Sequence, residues 1–432
     1  MSTMHAPSLL ALARNPTIAD VIAHRAVTAV YQPVADLTSG AVVAYEALAR
    51  GPRGTTLERP DMLFAAAAAD GRTVELDRLC REVALRGAGH ALAAPWTLFV
   101  NVEPVAAPPG VTVTRHSGDL LGPGLGPGPR VVAEITERNL TSRPAELLRM
   151  VERFRARGWG IALDDLGADP GSLALLPLLR PDVIKLDLRL VQDRPSQAIA
   201  EIASAVNAEA ERSGAVVLAE GIETDEQAMV ARSLGATLGQ GWLLGRPGPL
   251  PSVLPPSPLV GVPIGHVRPG NPMASPFEGV AARRTVRSAT KRLLIAMSKH
   301  IEGQALASPA AAVVLAAFQE RRFFTPATRR RYSRPAEHAT FVGTLGADLD
   351  PEPAAGVRGA HLHADDPVRG EWDIAVVGPH FAAALVARDL GDDGPQDDRR
   401  FEYILTHDRD LVVGVAGDLM ARMLPDPPPV PA

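Results

Sequence analysis

The sequence predicts an α/β protein built as two units, the first a parallel sheet or barrel and the second a smaller α/β or α+β domain. Three observations carry this. The chain has 432 residues, too many for one small core. Between about Ile18 and Pro247, short apolar runs alternate with helical patterns, the rhythm of βα units. From Pro247 to about Pro276 the sequence turns proline-rich and charge-poor, which predicts a linker over 251–276 between domains at 18–250 and 277–425.

In the first region the expected strands are Val27–Pro33, Ala41–Leu48, Thr97–Val102, Val131–Ile135, Gly160–Leu163, Asp182–Leu186, Ala215–Ala219 and Ala236–Leu238. Helices are expected over Pro60–Ala69, Glu75–Leu92, Arg143–Arg157, Pro195–Arg212 and Asp225–Leu234. The last has end signals of its own: Thr224 and Gln227 form a capping-box pattern, and Gly235 can take the left-handed conformation after its end. The Gly/Pro string Leu121–Pro129 predicts a surface loop. In the second region, helices are expected over Ala281–Glu302, Ala310–Arg321 and Phe381–Asp389, and strands over Trp372–Val377, Phe401–Leu405 and Leu411–Val415. Residues 1–17 are expected to be an N-terminal extension and 426–432 a disordered tail.

Composition narrows the function. A formal net charge of -5 argues against a nucleic-acid-coating protein, which needs a basic footprint. No apolar run reaches the roughly 18 residues of a membrane span. No basic segment precedes Leu9–Leu12, so no secretory signal is expected. Cys80 is the single cysteine and fits a packed core thiol in a reduced, cytoplasmic setting.

Polar residues stand where the first region's apolar runs finish: Glu46, Asn101, Glu134, Asp164 with Asp165, Lys185, Glu220 and Gln240. In a parallel barrel the C-terminal strand ends meet at one face, so these residues converge. Carboxylates gathered there repel unless cations neutralise them. An all-oxygen ligand set without thiol or imidazole suits Mg²⁺ or Mn²⁺, and the adjacent aspartates could serve two ions. Lys185 is the only lysine in the first 290 residues of a chain that otherwise uses arginine. A compact ammonium at that place can orient a water or stabilise an oxyanion, which a planar guanidinium does less well.

Eight segments in order, Tyr31-Gln-Pro-Val, Tyr45-Glu-Ala-Leu-Ala-Arg50, Val100-Asn-Val, Ala133-Glu-Ile-Thr-Glu137, Ala162-Leu-Asp-Asp-Leu-Gly167, Ile184-Lys-Leu-Asp187, Ala219-Glu-Gly-Ile-Glu-Thr224 and Gly239-Gln-Gly-Trp242, resemble the signature of EAL-domain cyclic di-GMP phosphodiesterases. The resemblance implies a (β/α)8 TIM-like barrel that hydrolyses cyclic di-GMP to linear pGpG with two Mg²⁺ or Mn²⁺ ions, in a homodimer. It implies that Glu46, Asn101, Glu134 and Asp164 hold one ion, that Asp164 is shared with the second, and that Asp165 serves the second. It gives Glu220 as a further acid of the centre, Lys185 as the group positioning the attacking water, and Gln240 as a neighbour of that water. Gln32, Leu48 and Arg50 match substrate contacts, Glu137 matches a glutamate holding the loop after Asp165, and Asp187 and Glu223 match acids behind the ligands. That loop departs from the family's Phe-Gly-x-Gly-x-Ser-Ser-Leu, reading Leu166-Gly-Ala-Asp-Pro-Gly-Ser-Leu173, and Gly51 stands where tryptophan is frequent after the arginine. A barrel that binds cyclic di-GMP without cleaving it, or that only docks a partner, is the alternative.

The second region resembles the DICT domain, a sensory module found beside cyclic di-GMP enzymes; its signal is not named by the resemblance. The pair His361-x-His363 with Asp365 and Asp366 is read as a surface turn, and the run Arg329–Arg331 beside Tyr332 as a solvated face.

Overall fold

The computed structural model describes residues 16–89, 91–103, 128–136, 144–167, 170–256, 261–265, 275–307, 312–392, 395 and 398–423. Glu137, the loop positions 168–169, most of the Gly/Pro string and the expected tail lie outside these residues.

The first region closes a barrel in sequence order: β1 (Thr28–Asp36), β2 (Val42–Arg50), β3 (Thr97–Asn101), β4 (Arg130–Thr136), β5 (Gly160–Leu166), β6 (Val183–Leu186), β7 (Val216–Ala219) and β8 (Leu238–Gly239). Packed outside are α1 (Ile18–Ala23), α2 (Pro60–Ala69), α3 (Thr73–Gly89), α4 (Pro144–Arg155), α5 (Leu176–Leu179), α6 (Leu188–Gln192), α7 (Gln197–Ser213) and α8 (Asp225–Ser233). The capping box at Thr224 and Gln227 is formed. Gly235 has φ +98°, and a Cβ there would strike the Asn207 side chain.

One strand corrects the expectation of a uniformly parallel barrel. β1 pairs antiparallel with both β2 and β8. The β1–β2 connection is a tight hairpin, closed by Asp36 N–H to Ala41 O and Gly40 N–H to Asp36 O, and a link that short permits only antiparallel pairing.

The inside of the barrel is layered by the two-residue period of strands. Val34, Ala44, Phe99, Val132, Ala162, Val183, Leu218 and Leu238 form one apolar cluster. Each lies two positions from a polar residue of the sequence set, Val132 from Glu134 and Val183 from Lys185 for example, so the polar residues form the next layer toward the strand ends. Val262 joins the apolar layer, with Ile264 packed against it. This part of the expected linker closes the barrel floor, and Gly265 N–H there donates to Asp182.

The second region is a mixed sheet ordered β12-β11-β10-β13-β14-β15-β9. Its strands are β9 (Arg287–Thr290), β10 (Val313–Glu320), β11 (Phe341–Ala347), β12 (Arg358–His361), β13 (Glu371–Val377), β14 (Ala382–Asp389) and β15 (Arg400–Thr406). One face is covered by α10 (Lys291–Ala307) and α11 (Pro326–Ala336), the other by α9 (Pro276–Ala281) and α12 (Arg409–Ala421). Several expectations are corrected. In place of the helices expected over Ala310–Arg321 and Phe381–Asp389 stand the strands Val313–Glu320 and Ala382–Asp389, Leu411–Val415 is helical, and Ala281–Glu302 is broken by β9. β10 and β14 are buried on both faces, so no alternation marks them as strands.

α12 packs on α4 and α5 of the barrel. Leu147, Val151, Leu176 and Leu179 share one apolar core with Val412, Val415 and Leu419. Arg212 of α7 pairs with Asp410 at 2.5 Å, and Thr340 Oγ1 donates to Gly171 O at 2.7 Å.

Candidate active site

At the polar layer the strand ends bring Glu46, Asn101, Glu134, Asp164, Lys185, Glu220, Gln240 and Gln32 together. Asn101 Nδ2 donates to Glu46 Oε1 and Glu134 Oε2, each at 3.0 Å. Gln240 Nε2 donates to Glu46 Oε2 at 2.7 Å and to Gln32 Oε1 at 3.1 Å. Gln32 reaches this centre from the antiparallel strand because it is the register partner of Glu46.

Lys185 is the hub. Its Nζ lies 2.6 Å from Glu134, 2.7 Å from Glu220, 2.9 Å from Asp164 and 3.7 Å from Glu46, and the side chain is 1% exposed. Burial favours a neutral amine, but Asp164, Glu134, Glu220 and Glu46 outweigh it and hold the group well above the ordinary ammonium range. Burial, with repulsion from Glu46, pushes Glu134 well above the carboxylate range despite Lys185. Burial likewise pushes Glu220 up to about 8, with Lys185 opposing and Asp164 and Glu46 adding repulsion. Glu46 stays below its ordinary value: burial opposes ionisation, and Lys185 with the surrounding hydrogen bonds overcomes it.

Consecutive residues of a regular strand point to opposite faces, yet Asp164 and Asp165 both serve this centre. The register of β5 against β6 shifts between Leu163 and Leu166, and Asp165 has φ +58°. A bulge of this kind re-aims a side chain. Carboxylate oxygens of Asp164, Asp165 and Glu220 consequently lie within 4.8 Å of one another, the one such His/Cys/Asp/Glu group among the described residues.

Oxygen donors of this kind fit a hard divalent cation. Glu134 Oε1, Asp164 Oδ1 and Gln240 Oε1 are buried without a hydrogen bond, and the first two lie in ion-pair contact with the Lys185 ammonium. The residues present therefore suit the metal that the ligand pattern implies.

A cavity of about 320 Å³ opens beside Glu46 and Asn101, lined by Leu48, Phe64, Asp77 and Arg81 among others. Arg50 lines an adjoining cleft with Arg59 and Asp61. Asp77, Arg81 and Glu103 escaped the sequence reading. Asp77 is buried, accepts from Glu103 N–H at 3.1 Å and pairs with Arg81. An acid beside Leu76 and Leu79 on the apolar face of α3 was the available signal. Two expected residues stand apart from the centre. Asp187 caps α6 through Arg189 N–H, and Glu223 is exposed, its N–H donating to Gln227. Cys80, on α3, is part-buried and packs against the core cluster, and burial pushes its thiol up to about 12. His361 accepts from Asp348 N–H and joins no metal-competent group among the described residues.

The model of the family described as "EAL domain" matches residues 17–247 of this chain. The chain belongs to the EAL-domain family. A second model, "Sensory domain in DIguanylate Cyclases and Two-component system" (DICT), matches residues 279–390, so a DICT domain follows the EAL barrel. The EAL chain is 34% identical over 232 residues to the cyclic di-GMP phosphodiesterase NbdA of Pseudomonas aeruginosa, covering 51% of this chain and 29% of that protein. It is 32% identical over 255 residues to the cyclic di-GMP phosphodiesterase RocR of the same organism, covering 56% and 64%. It thus spans less than two thirds of either relative. A solved complex of the MucR phosphodiesterase with cyclic di-GMP is similar at 26% identity and TM-score 0.45, covering 54% of this chain and 96% of that one. No helix among the described residues is long and apolar enough to cross a membrane.

Proposed function

We propose that this EAL protein is a cyclic di-GMP phosphodiesterase that opens one ester to linear pGpG under the control of its DICT domain. The observation that carries the reading is the buried ammonium of Lys185 held among four carboxylates, one of which, Glu46, lines the cavity that adjoins the cleft of Arg50. Glu46, Asn101, Glu134, Asp164, Asp165 and Glu220 would hold two divalent ions, Mg²⁺ or Mn²⁺, which supply charge neutralisation and a water of lowered pKa.

The remaining chemistry belongs to the chain. Arg50 and Gln32 hold the nucleotide, Arg50 at a phosphate, so that the scissile ester lies over the polar layer. Lys185 orients the water, whose oxygen bonds to phosphorus as the P–O3′ bond breaks. The water's proton passes to a carboxylate of the cluster, and the departing 3′ oxygen takes up a proton from a carboxylic acid of that cluster, so that it leaves as a hydroxyl and the proton count is restored. Gln240 steadies the water through its free Oε1 while its amide stays on Glu46 and Gln32.

The DICT domain acts through the turn that follows the paired aspartates, since Thr340 grips Gly171 within the same chain. Support for the function comes from the geometry of the centre and from the names of the relatives. Incubating the pure protein with cyclic di-GMP and Mn²⁺, and measuring binding and pGpG separately, tests it. Tight binding without pGpG would replace the enzyme by a receptor. Measuring mass in solution across concentration tests the homodimer.

A further inference from the structure

Facing stripes of α10 and α11 border an open cleft of about 340 Å³ on the side of the DICT domain away from the barrel. α10 contributes Lys299, Gly303 and Leu306, and α11 contributes Ala327, Arg330 and Arg334. Each set follows the i, i+3, i+4, i+7 spacing of one helix face.

The charge of this cleft does not balance. Glu302, also at the lining, is buried and committed, pairing with Arg331 and accepting from Tyr332 Oη at 2.7 Å. That leaves Lys299, Arg330 and Arg334. Among the described residues no carboxylate pairs with any of the three. Cations gathered on two facing helices repel one another, and the arrangement is stabilised by an anion between them.

Space points the same way. Gly303 sits inside a helix of 17 residues, where glycine weakens the helix relative to alanine. No atom lies within 4 Å of the place a Cβ would occupy, so any side chain there would project into open space at the cleft. Leu306, Ala327 and Pro335 give the wall an apolar part. The volume falls within the range of small-molecule sites, about 300–1,000 Å³.

We propose that this cleft is the DICT domain's ligand site and that it takes a small molecule carrying two or more negative charges, as phosphate or carboxylate groups. Guanidinium forks of Arg330 and Arg334 receive the anion bidentately, Lys299 adds a third charge, and the apolar wall accepts the uncharged part of the ligand. The buried Glu302–Arg331–Tyr332 set fixes α11 against α10 and keeps the two stripes in register.

Calorimetric titration of the metal-free full chain with inorganic pyrophosphate and, separately, with citrate tests this at about 0.15 M salt, where weak surface attraction is screened. Without divalent ions the carboxylates of the barrel repel both probes, and no substrate or turnover enters the measurement, so the outcome is independent of the phosphodiesterase reading. Saturable binding of at least one probe is expected, the tighter one identifying the head group. The double variant Arg330→Ala/Arg334→Ala, at two exposed positions, and Gly303→Leu, which fills the cleft, should each weaken it at least tenfold. Arg50→Ala should leave it unchanged. Absence of saturable binding for both probes at millimolar concentration, or equal binding by the parent and the folded double variant, would overturn the proposal.

Discussion

Replacing Lys185 by Met keeps the side chain's length and removes the charge that four carboxylates share. The ammonium lies within 2.9 Å of Glu134, Asp164 and Glu220 and within 3.7 Å of Glu46. Breaking a buried ion pair by removing one partner destabilises by about 3–5 kcal/mol. Here one removal unpairs several anions, but Glu134 and Glu220, whose carboxyls burial already pushes upward, can take up protons once the ammonium is gone, which keeps the expected loss inside that range. Urea unfolding of the metal-free protein at pH 7 measures it. A divalent ion returns positive charge to the same place, so Mn²⁺ at a hundredfold excess over its Kd should restore about 2.7 kcal/mol, while hydrolysis of cyclic di-GMP stays at least a hundredfold below the parent. A metal-free Lys185→Met protein as stable as the parent would refute the reasoning, because the ammonium would then not be what holds the carboxylates together. Lys185→Arg separates charge from shape: its planar group has no room among the four carboxylates, and turnover should fall at least about tenfold, roughly 1.4 kcal/mol.

Asp164→Asn should abolish pGpG formation while leaving nucleotide binding within about threefold, and normal pGpG production would remove the two-metal assignment. Thr340→Val deletes the bond to Gly171; stability should drop by about 0.5–1.5 kcal/mol, with turnover of the full chain shifting at least threefold, and unchanged turnover would take this contact out of the control path. Asp418, on α12, is pushed up to about 7 by burial, with Arg422 opposing and Glu371 and Glu152 of α4 adding repulsion. A raised acid contributes its stability fully below its unfolded value, near 3.8, and loses it as pH climbs through 7, a loss with a ceiling of about 4 kcal/mol. Asp418→Asn should therefore raise the melting temperature at pH 8 and leave it nearly unchanged at pH 4; equal shifts at the two pH values would show that its ionisation is unimportant.

The barrel was legible because each strand ends the same way. An apolar residue two positions before a polar one, as in Ala44 and Glu46 or Leu218 and Glu220, states both the inward face and the chemical end of the strand. Direction was less visible: only the brevity of the turn after Asp36 shows that β1 runs backwards. The paired reach of Asp164 and Asp165 depends on a bulge, and a bulge leaves no mark on residue type. In the second domain the same signal vanished for a physical reason. Ala312–Phe318 and Ala382–Ala387 are buried on both sides, and strands of that kind are as uniformly apolar as a core helix. Leu411–Val415 misled in the opposite direction, its β-branched run being helical because tertiary packing against α4 and α5 overrides propensity. Val262 could not be recognised as a barrel plug, because its neighbours are distant strands.

The apolar seam between α12 and the pair α4 and α5 has a practical consequence for anyone who cuts this protein. Modules joined by a free tether can be excised, exchanged or studied singly. Here a cut near Pro256 strips the cover from Leu147, Val151, Leu176 and Leu179 and withdraws Val262 from the floor. The excised barrel would present a greasy stripe and a leaking base, and its failure to turn over would report damage, not lost regulation. Calorimetry of the intact chain should show one melting event in which both halves dissolve together. Signal transfer, on this plan, is the flexing of a monolith.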